Sequence, residues 1–229
     1  MIVYPEDWRS FGSPVTTGDI DKAMREVLEG IDCNNLSFSG GVDSSLLLYY
    51  LLEVHGVAQV FTIANLSDHP DILFAEKSLH YFEERYGIKI PHTVFVRPNI
   101  EGDELVRCFY NLLSDSGVRR IIAGDCVDEL ACGYYAHQDM TEETYYGYLR
   151  RSQGDHLEPL NKNSGDIGVY LPYADCRVAS LFYQMPLQDK VSHECRKIAI
   201  LSLADGRVAP EVIERKKYGF ATSVQEASV

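Results

Sequence analysis

The sequence lacks any Cys-x-x-Cys pair, any Gly-x-x-x-x-Gly-Lys-Ser/Thr loop and any Gly-x-Gly-x-x-Gly fingerprint. The first absence argues against a zinc ribbon or a paired-thiol catalyst, and the other two exclude the commonest nucleotide-binding loops. Positive charge is also scarce: 21 Lys plus Arg face 34 Asp plus Glu, a formal net charge of −13. Phosphate contacts need a basic face, and no Lys/Arg stripe exists, so a nucleic-acid partner is not expected. No apolar run approaches the roughly 20 residues of a membrane helix. Met1-Ile2-Val3-Tyr4-Pro5-Glu6 turns acidic at once and does not resemble a leader. A soluble cytoplasmic protein with no membrane partner is expected. The six cysteines are scattered, which fits reduced core thiols better than zinc or disulfides.

What is present is ordinary for a globular chain. Apolar residues make up 45% and charged residues 24%, which excludes disorder, collagen and coiled coil as the main state. At 229 residues the chain suits one large domain or a domain with an appended lobe. Residues 1–18, with Trp8, read as an N-terminal arm. From Thr17 the apolar residues Ile20, Met24, Val27 and Leu28 recur at helical spacing. Strand-like runs at Leu36–Phe38, Val57–Ala64, Lys89–Val96 and Val118–Ala123 then alternate with helical runs at Ser44–Glu53, Pro70–Gly87 and Leu105–Leu113. That alternation predicts an α/β fold with a doubly wound parallel sheet over residues 19–135. Residues 136–229 are expected to form a mainly helical lobe ending in an active-site segment. Helices are predicted at Val127–Tyr135, Glu142–Arg151, Arg177–Tyr183 and Val191–Leu203, with Gln153–Gly168 as a long loop.

Two clusters carry chemistry. Ser39-Gly40-Gly41-Val42-Asp43-Ser44-Ser45 lies between a strand and a helix. Its glycines allow close approach of a ligand, and its N–H groups and hydroxyls suit an anion such as pyrophosphate. Asp43 would repel phosphate unless Mg²⁺ lies between them. The second cluster is Gly124-Asp125-Cys126-Val127-Asp128-Glu129, followed by Gly133-Tyr134. Three carboxylates so close repel one another unless a cation or a cationic substrate group is near. Both clusters sit at strand ends, where open parallel sheets bind ligands, so Asp43 and Asp128 are expected to share one Mg²⁺.

Ser-Gly-Gly-Val-Asp-Ser followed about 80 residues later by Gly-Asp-x-x-Asp-Glu-x-x-x-Gly-Tyr resembles the synthetase domain of the class B asparagine synthetases. That domain belongs to the PP-loop ATP pyrophosphatases. Leu171-Pro172-Tyr173-Ala174-Asp175-Cys176-Arg177-Val178 resembles the family's Pro-Phe-Leu-Asp-x-Arg segment, and Arg215-Lys216-Lys217-Tyr218-Gly219-Phe220 its Lys-rich C-terminal motif. The resemblance implies a PP-loop fold and an ATP-dependent ligase. A carboxylate would attack the α-phosphate, releasing pyrophosphate, and ammonia or another amine would displace AMP. Ser39, Gly40, Gly41, Ser44 and Gly124 would then hold ATP and pyrophosphate, with Asp43 and Asp128 on Mg²⁺. Backbone groups around Thr62 and Ile63 would face the adenine. Asp125 and Glu129 would face the substrate, and Glu129 with Lys217, or else Lys216, would be catalytic. The family's glutaminase domain starts with a nucleophilic Cys, and residue 2 here is Ile2. Nitrogen is therefore expected from solution, from a separate glutaminase or from another amine; a homo-oligomer is the other partner considered. Gly168 and Tyr170 replace the family's Glu and Arg before the proline, which leaves the carboxylate open.

Two other readings compete. A PP-loop RNA-modifying enzyme would need paired cysteines and a basic face. A nucleotide-binding regulatory subunit would follow if the altered stretch from Gln153 to Tyr170 had lost the acceptor site. Cys126 is read as an inert packed thiol, because nearby carboxylates raise a thiol pKa. The tyrosines at 134, 135, 145, 146 and 148 are read as helix packing or a subunit contact, and His92 and His137 as packing or surface residues.

Overall fold

Each early helix carries its own start and stop signals. Thr16 caps α1 (Thr17–Glu29) in a reciprocal box with Asp19, and the apolar stripe from Ile20 to Leu28 is buried. α2 (Val42–His55) is apolar on all sides, and its residues 44–52 are all buried. It is therefore the central helix, each of its leucines contributing about 2 kcal/mol of burial. Gly56 ends it at φ 71°, and Gly87 ends α3 (Pro70–Tyr86) at φ 66°. α4 spans Gly102–Asp115.

The computed structural model describes residues 14–215. Among them, β1 (Asn35–Ser37), β2 (Gln59–Ala64), β3 (His92–Val96), β4 (Arg120–Ile122) and β5 (Gly168–Tyr170) form one parallel sheet in the order β3-β2-β1-β4-β5. Helices cover both faces. α1, α2 and α3 pack into one apolar cluster, and α4 closes the second with Phe61, Ile63 and Ile121. The α/β doubly wound parallel sheet expected from the alternation is the observed fold.

The second half differs from the sequence reading in four places. The helix expected over Val127–Tyr135 is only α5 (Val127–Leu130), because Cys132 takes φ 60° and turns the chain. α6 spans Glu142–Leu149. The stretch Gln153–Gly168 is not a long loop: a π-turn at Gln153–Leu157 leads into α7 (Glu158–Asn163) and then into β5. β5 pairs with β4, Ile121 opposite Val169, so the region after residue 135 supplies a strand as well as helices. α8 spans Cys176–Gln184, and the helix expected over Val191–Leu203 is confined to α9 (Ile198–Ala204), followed by α10 (Pro210–Ile213). One buried cluster draws on Met24, Leu48, Tyr145, Phe182 and Ile200, so the core crosses the boundary expected near residue 135. All six cysteines are free. Among the described residues no helix is long and apolar enough to cross a membrane.

Lys190 lies fully buried inside this cluster. Its ammonium donates to the Phe182 carbonyl at 2.9 Å and to the Tyr145 hydroxyl at 3.3 Å, and it sits 4.3 Å from the Tyr145 ring centroid. Its carbonyl accepts the Ile198 N–H at 2.9 Å, which closes the irregular segment 191–197 against the core. Burial pushes the Lys190 pKa down to about 8, against the pull of Cys132, Glu142 and Asp189. A base whose folded pKa lies below its unfolded value costs stability while it must stay charged. That cost is relieved as pH rises from about 8 towards the free-lysine value near 10.4. Between pH 8 and pH 10 the wild type should therefore gain roughly 2 kcal/mol relative to Lys190→Met. Paired urea melts at several pH values check this; parallel curves would show that Lys190 is not buried as a charge.

Candidate active site

The strand order reverses beside β1, where β2 pairs on one edge and β4 on the other. Chains leaving β1 and β4 depart in different directions, which opens a crevice at their carboxyl ends. β1 runs through Ser39-Gly40-Gly41 into α2, placing Asp43 in the first turn of that helix. β4 runs through Gly124-Asp125-Cys126 into α5, placing Asp128 in its first turn. The two motifs thus face one another across the crevice.

The glycine loop is set by close packing. Gly40 has φ 65°, and a Cβ there would lie 2.2 Å from the Ala75 backbone nitrogen, so the loop lies directly on α3. The Ser44 hydroxyl donates to the Gly41 carbonyl at 3.2 Å and accepts the Ser39 N–H at 3.3 Å. Ser39 Oγ is 3.3 Å from Ser44 Oγ and accepts the Gly41 N–H at 3.4 Å. Both hydroxyls therefore hold the loop in shape at the α2 N-terminus. Gly124 stands opposite, and a Cβ there would lie 3.9 Å from the Asp43 Cβ.

Thr62 and Ile63 lie on β2, one strand away. The Thr62 hydroxyl donates to the Phe38 carbonyl at 2.5 Å and is 2.8 Å from His92 Nε2, so that side chain is engaged within the sheet. Phe38 donates its N–H to the Phe61 carbonyl at 2.8 Å. Alternate residues of a parallel strand turn their peptide groups the same way, so those of Ile63 face the crevice side beyond the end of β1. Those of Thr62 face β3, where it pairs with Val94.

Asp43 and Asp128 meet at one cation, which belongs to the protein. Lys197 Nζ lies 2.5 Å from Asp43 Oδ2 and 2.7 Å from Asp128 Oδ1. Burial disfavours the ammonium, but the two carboxylates outweigh it and hold the Lys197 pKa above the ordinary lysine value. The lysine reaches this position from the N-cap of α9, in the left-handed region at φ 57°. It passes over Gly133, where a Cβ would lie 1.8 Å from Asp128 Oδ1 and 2.4 Å from Lys197 Cε. The sequence reading placed Lys197 inside a helix and missed it. The available signal was a basic residue immediately before the apolar run from Ile198, an unfavourable sign at a helix N-terminus that calls for anions nearby.

On the α5 side, Glu129 is buried. It accepts the Tyr134 hydroxyl at 2.7 Å and lies 3.3 Å from His156 Nδ1, whose Nε2 is 3.2 Å from the Tyr148 hydroxyl. Asp125 is an exposed residue that lines the cavities on either side of α5. Burial, with Glu129 and Asp128 nearby, pushes its pKa up to about 6. The same burial, with Glu129 and Asp125, drives the Cys126 thiol far up, as expected for an inert cysteine. Tyr134 and Tyr148 belong to this cluster, whereas Tyr145 and Tyr146 are core residues.

Arg215 closes the opposite wall. It donates to the Ser39 carbonyl at 2.9 Å, pairs with Asp71 in the first turn of α3, and lies 4.5 Å over the Phe74 ring. Lys216 and Lys217 lie outside the described residues. A cavity of about 500 Å³ runs from Ser39 and Gly41 to Arg196, Lys197 and Arg215, and a second of about 200 Å³ from Ser44 to Asp125 and Tyr110. Among the described residues no cluster of three or more His, Cys, Asp or Glu has metal-site geometry. A magnesium ion fits a smaller donor set here, because it is usually held by one or two carboxylates plus phosphate and water oxygens. Asp43 and Asp128 supply two hard oxygen donors, and buried Asp43 Oδ1 has no hydrogen-bond partner among the described residues.

Comparison with known proteins adds one finding. A family model described as asparagine synthase matches residues 164–229. No curated protein matches the chain. The matched stretch contains Lys197 and Arg215 but neither the Ser39–Ser45 loop nor the Gly124–Glu129 run.

Because Asp43 is half of the charge partnering a buried lysine, Asp43→Asn should lower the stability of the ligand-free protein by about 2 kcal/mol. Denaturant midpoints check this, and an unchanged midpoint would show that Asp128 alone satisfies Lys197.

Proposed function

We propose that the chain is an ATP-dependent, AMP-forming amide ligase of asparagine-synthase type. One observation carries the reading. Lys197 and Arg215, both inside the segment matched by the asparagine synthase model, contact Asp43 and the Ser39 carbonyl of a glycine loop that lies outside it. Two stretches far apart in sequence, each pointing to the same chemistry, converge on one crevice.

In this reading the Ser39–Ser44 loop cradles the β- and γ-phosphates at the α2 N-terminus, where N–H groups and the helix dipole favour an anion. Gly124 lets the nucleotide approach the β4 end, and the Ile63 peptide groups, rather than the engaged Thr62 side chain, face the adenine. Asp43 and Asp128 would hold Mg²⁺, which when bound neutralises phosphate charge. A substrate carboxylate oxygen attacks the α-phosphorus as the bond to pyrophosphate breaks. An amine then attacks the acyl carbon of the adenylate, losing a proton as AMP leaves. The protein's share is positioning and charge. Asp125 and Glu129 line the α5 side of the crevice, where an amine or ammonium is favoured over a second anion. Lys217 follows the Arg215 clamp by two residues and is the candidate to stabilise charge on the α-phosphate, with Lys216 second. The nitrogen in this reading is ammonia or another amine, taken from solution or from a separate glutaminase.

Incubation with ATP, Mg²⁺ and a panel of carboxylates should give substrate-dependent exchange of labelled pyrophosphate into ATP, and AMP as the nucleotide product. Stoichiometric ADP would overturn the mechanism. Lys217→Ala should lower the maximal rate by about a hundredfold or more with little change in ATP affinity, the scale of losing one preorganised charge contact. A wild-type rate in that variant would remove Lys217 from the reaction.

A further inference from the structure

We propose that Lys197 is an exchangeable counter-ion: its ammonium takes the place of the divalent cation between Asp43 and Asp128, and gives up that place when Mg²⁺–triphosphate enters. This rests on the ATP-dependent reading above and adds to it a conformational step by this chain's own lysine.

The position comes first. Nζ lies 2.5 Å and 2.7 Å from oxygens of the two carboxylates, which is where an ion shared by them would sit. An ammonium and a metal ion do not occupy one point, so binding of one displaces the other. The charge balance favours that exchange. Two carboxylates and one ammonium leave the group at −1, and Asp43 Oδ1 keeps an unused lone-pair site in a buried setting. A dication with phosphate oxygens uses that capacity; the lysine does not.

The lysine is also poised to leave. It sits at φ 57° on the N-cap of α9, a backbone region that non-glycine residues enter at a cost and a helix end that disfavours a cation. The carboxylates offset the charge penalty while they hold the ammonium. Its ammonium rides on a flexible four-carbon stem. It borders the 500 Å³ cavity that also touches Ser39, Gly41, Arg196 and Arg215. Turned into that space, it would meet the oxygens of an entering triphosphate, trading two carboxylates for phosphate. Gly133 matters to both states, because a methyl group there would collide with Asp128 Oδ1 and Lys197 Cε.

Titration of the nucleotide-free protein with Mn²⁺, followed by electron paramagnetic resonance of the free ion, tests the competition. Wild type should bind Mn²⁺ weakly, Lys197→Met at least about tenfold more tightly, and Lys197→Met/Asp128→Asn should lose the gain. Equal affinity in wild type and Lys197→Met overturns the proposal. A second measurement reads the wild-type protein, with the conservative Lys197→Arg variant used only to assign the signal. In protein labelled with ¹⁵N-lysine, the ammonium resonance absent from Lys197→Arg should move when Mg²⁺ and α,β-methylene-ATP are added together. A bound nucleotide with an unmoved resonance overturns the exchange alone. Failure of the nucleotide to bind overturns the ligase reading instead, and the Mn²⁺ titration still decides whether lysine and metal compete.

Discussion

Two carboxylates held at adjacent strand ends are the constraint from which the rest of the site follows. Asp43 and Asp128 are brought there by the sheet order, since β1 and β4 are neighbours and each feeds a helix whose first turn carries the acid. Close, partly buried carboxylates repel unless a cation neutralises them. The fold supplies Lys197, and doing so imposes its own conditions. The segment before α9 must be irregular, Lys197 must accept left-handed backbone, and residue 133 must lack a side chain. Three local rules are thus broken in the service of one ion triad. Such departures from local preference concentrate where a site is being built rather than where a core is being packed.

The half of the fold up to residue 123 was legible because its helices are long enough to show a period and its strands lie in runs set off by glycine or polar residues. The limits of that legibility are equally physical. β5 is Gly-Val-Tyr on the sheet edge, no shorter than β1 or β4, but it opens on Gly168 at the end of a Gly-, Asn- and Asp-rich stretch that reads as loop. The expected helix from Val127 continues apolar through Ala131 and Cys132, yet the backbone reverses at Cys132 because Gly133 must come close to the acid pair. Asp43 and Asp128 were found from the sequence because acids beside an anion loop are chemically conspicuous. Lys197 was not, because a lysine next to an apolar run reads as the edge of a helix. Arg215 was seen only as part of a basic run, whereas its side chain is folded inward onto Asp71 and Ser39.

The second half of the chain gains stability from the core yet spends some of it on buried charge. Lys190 is enclosed by aromatic rings and carbonyls, Lys197 by two acids, and Arg215 by Asp71 and Phe74. Buried charges of this kind are weak contributors to stability, because desolvation consumes most of the attraction. Their common feature is placement. Lys190 fixes the start of the segment that ends at Lys197, and Arg215 ties the chain leaving α10 to the glycine loop. The charges therefore act as registration points that bring two sequence-distant regions to one crevice.

That arrangement also resolves an apparent conflict between the whole molecule and its site. A protein of net charge −13 is a poor partner for a polyanion if the total charge decides. At physiological ionic strength the field of an exposed charge fades over about 8 Å, so the groups lining the crevice outweigh the distant surface. Those groups are unlike the average. Arg196, Lys197 and Arg215 border one cavity, and Arg196 is itself held 3.7 Å over the Tyr135 ring. In the ligand-free state Asp43 and Asp128 more than balance Lys197, and Asp71 pairs with Arg215, so acids and cations alternate along the cavity wall. The surface is acidic on balance, whereas the crevice gathers Arg196, Lys197 and Arg215 among its acids.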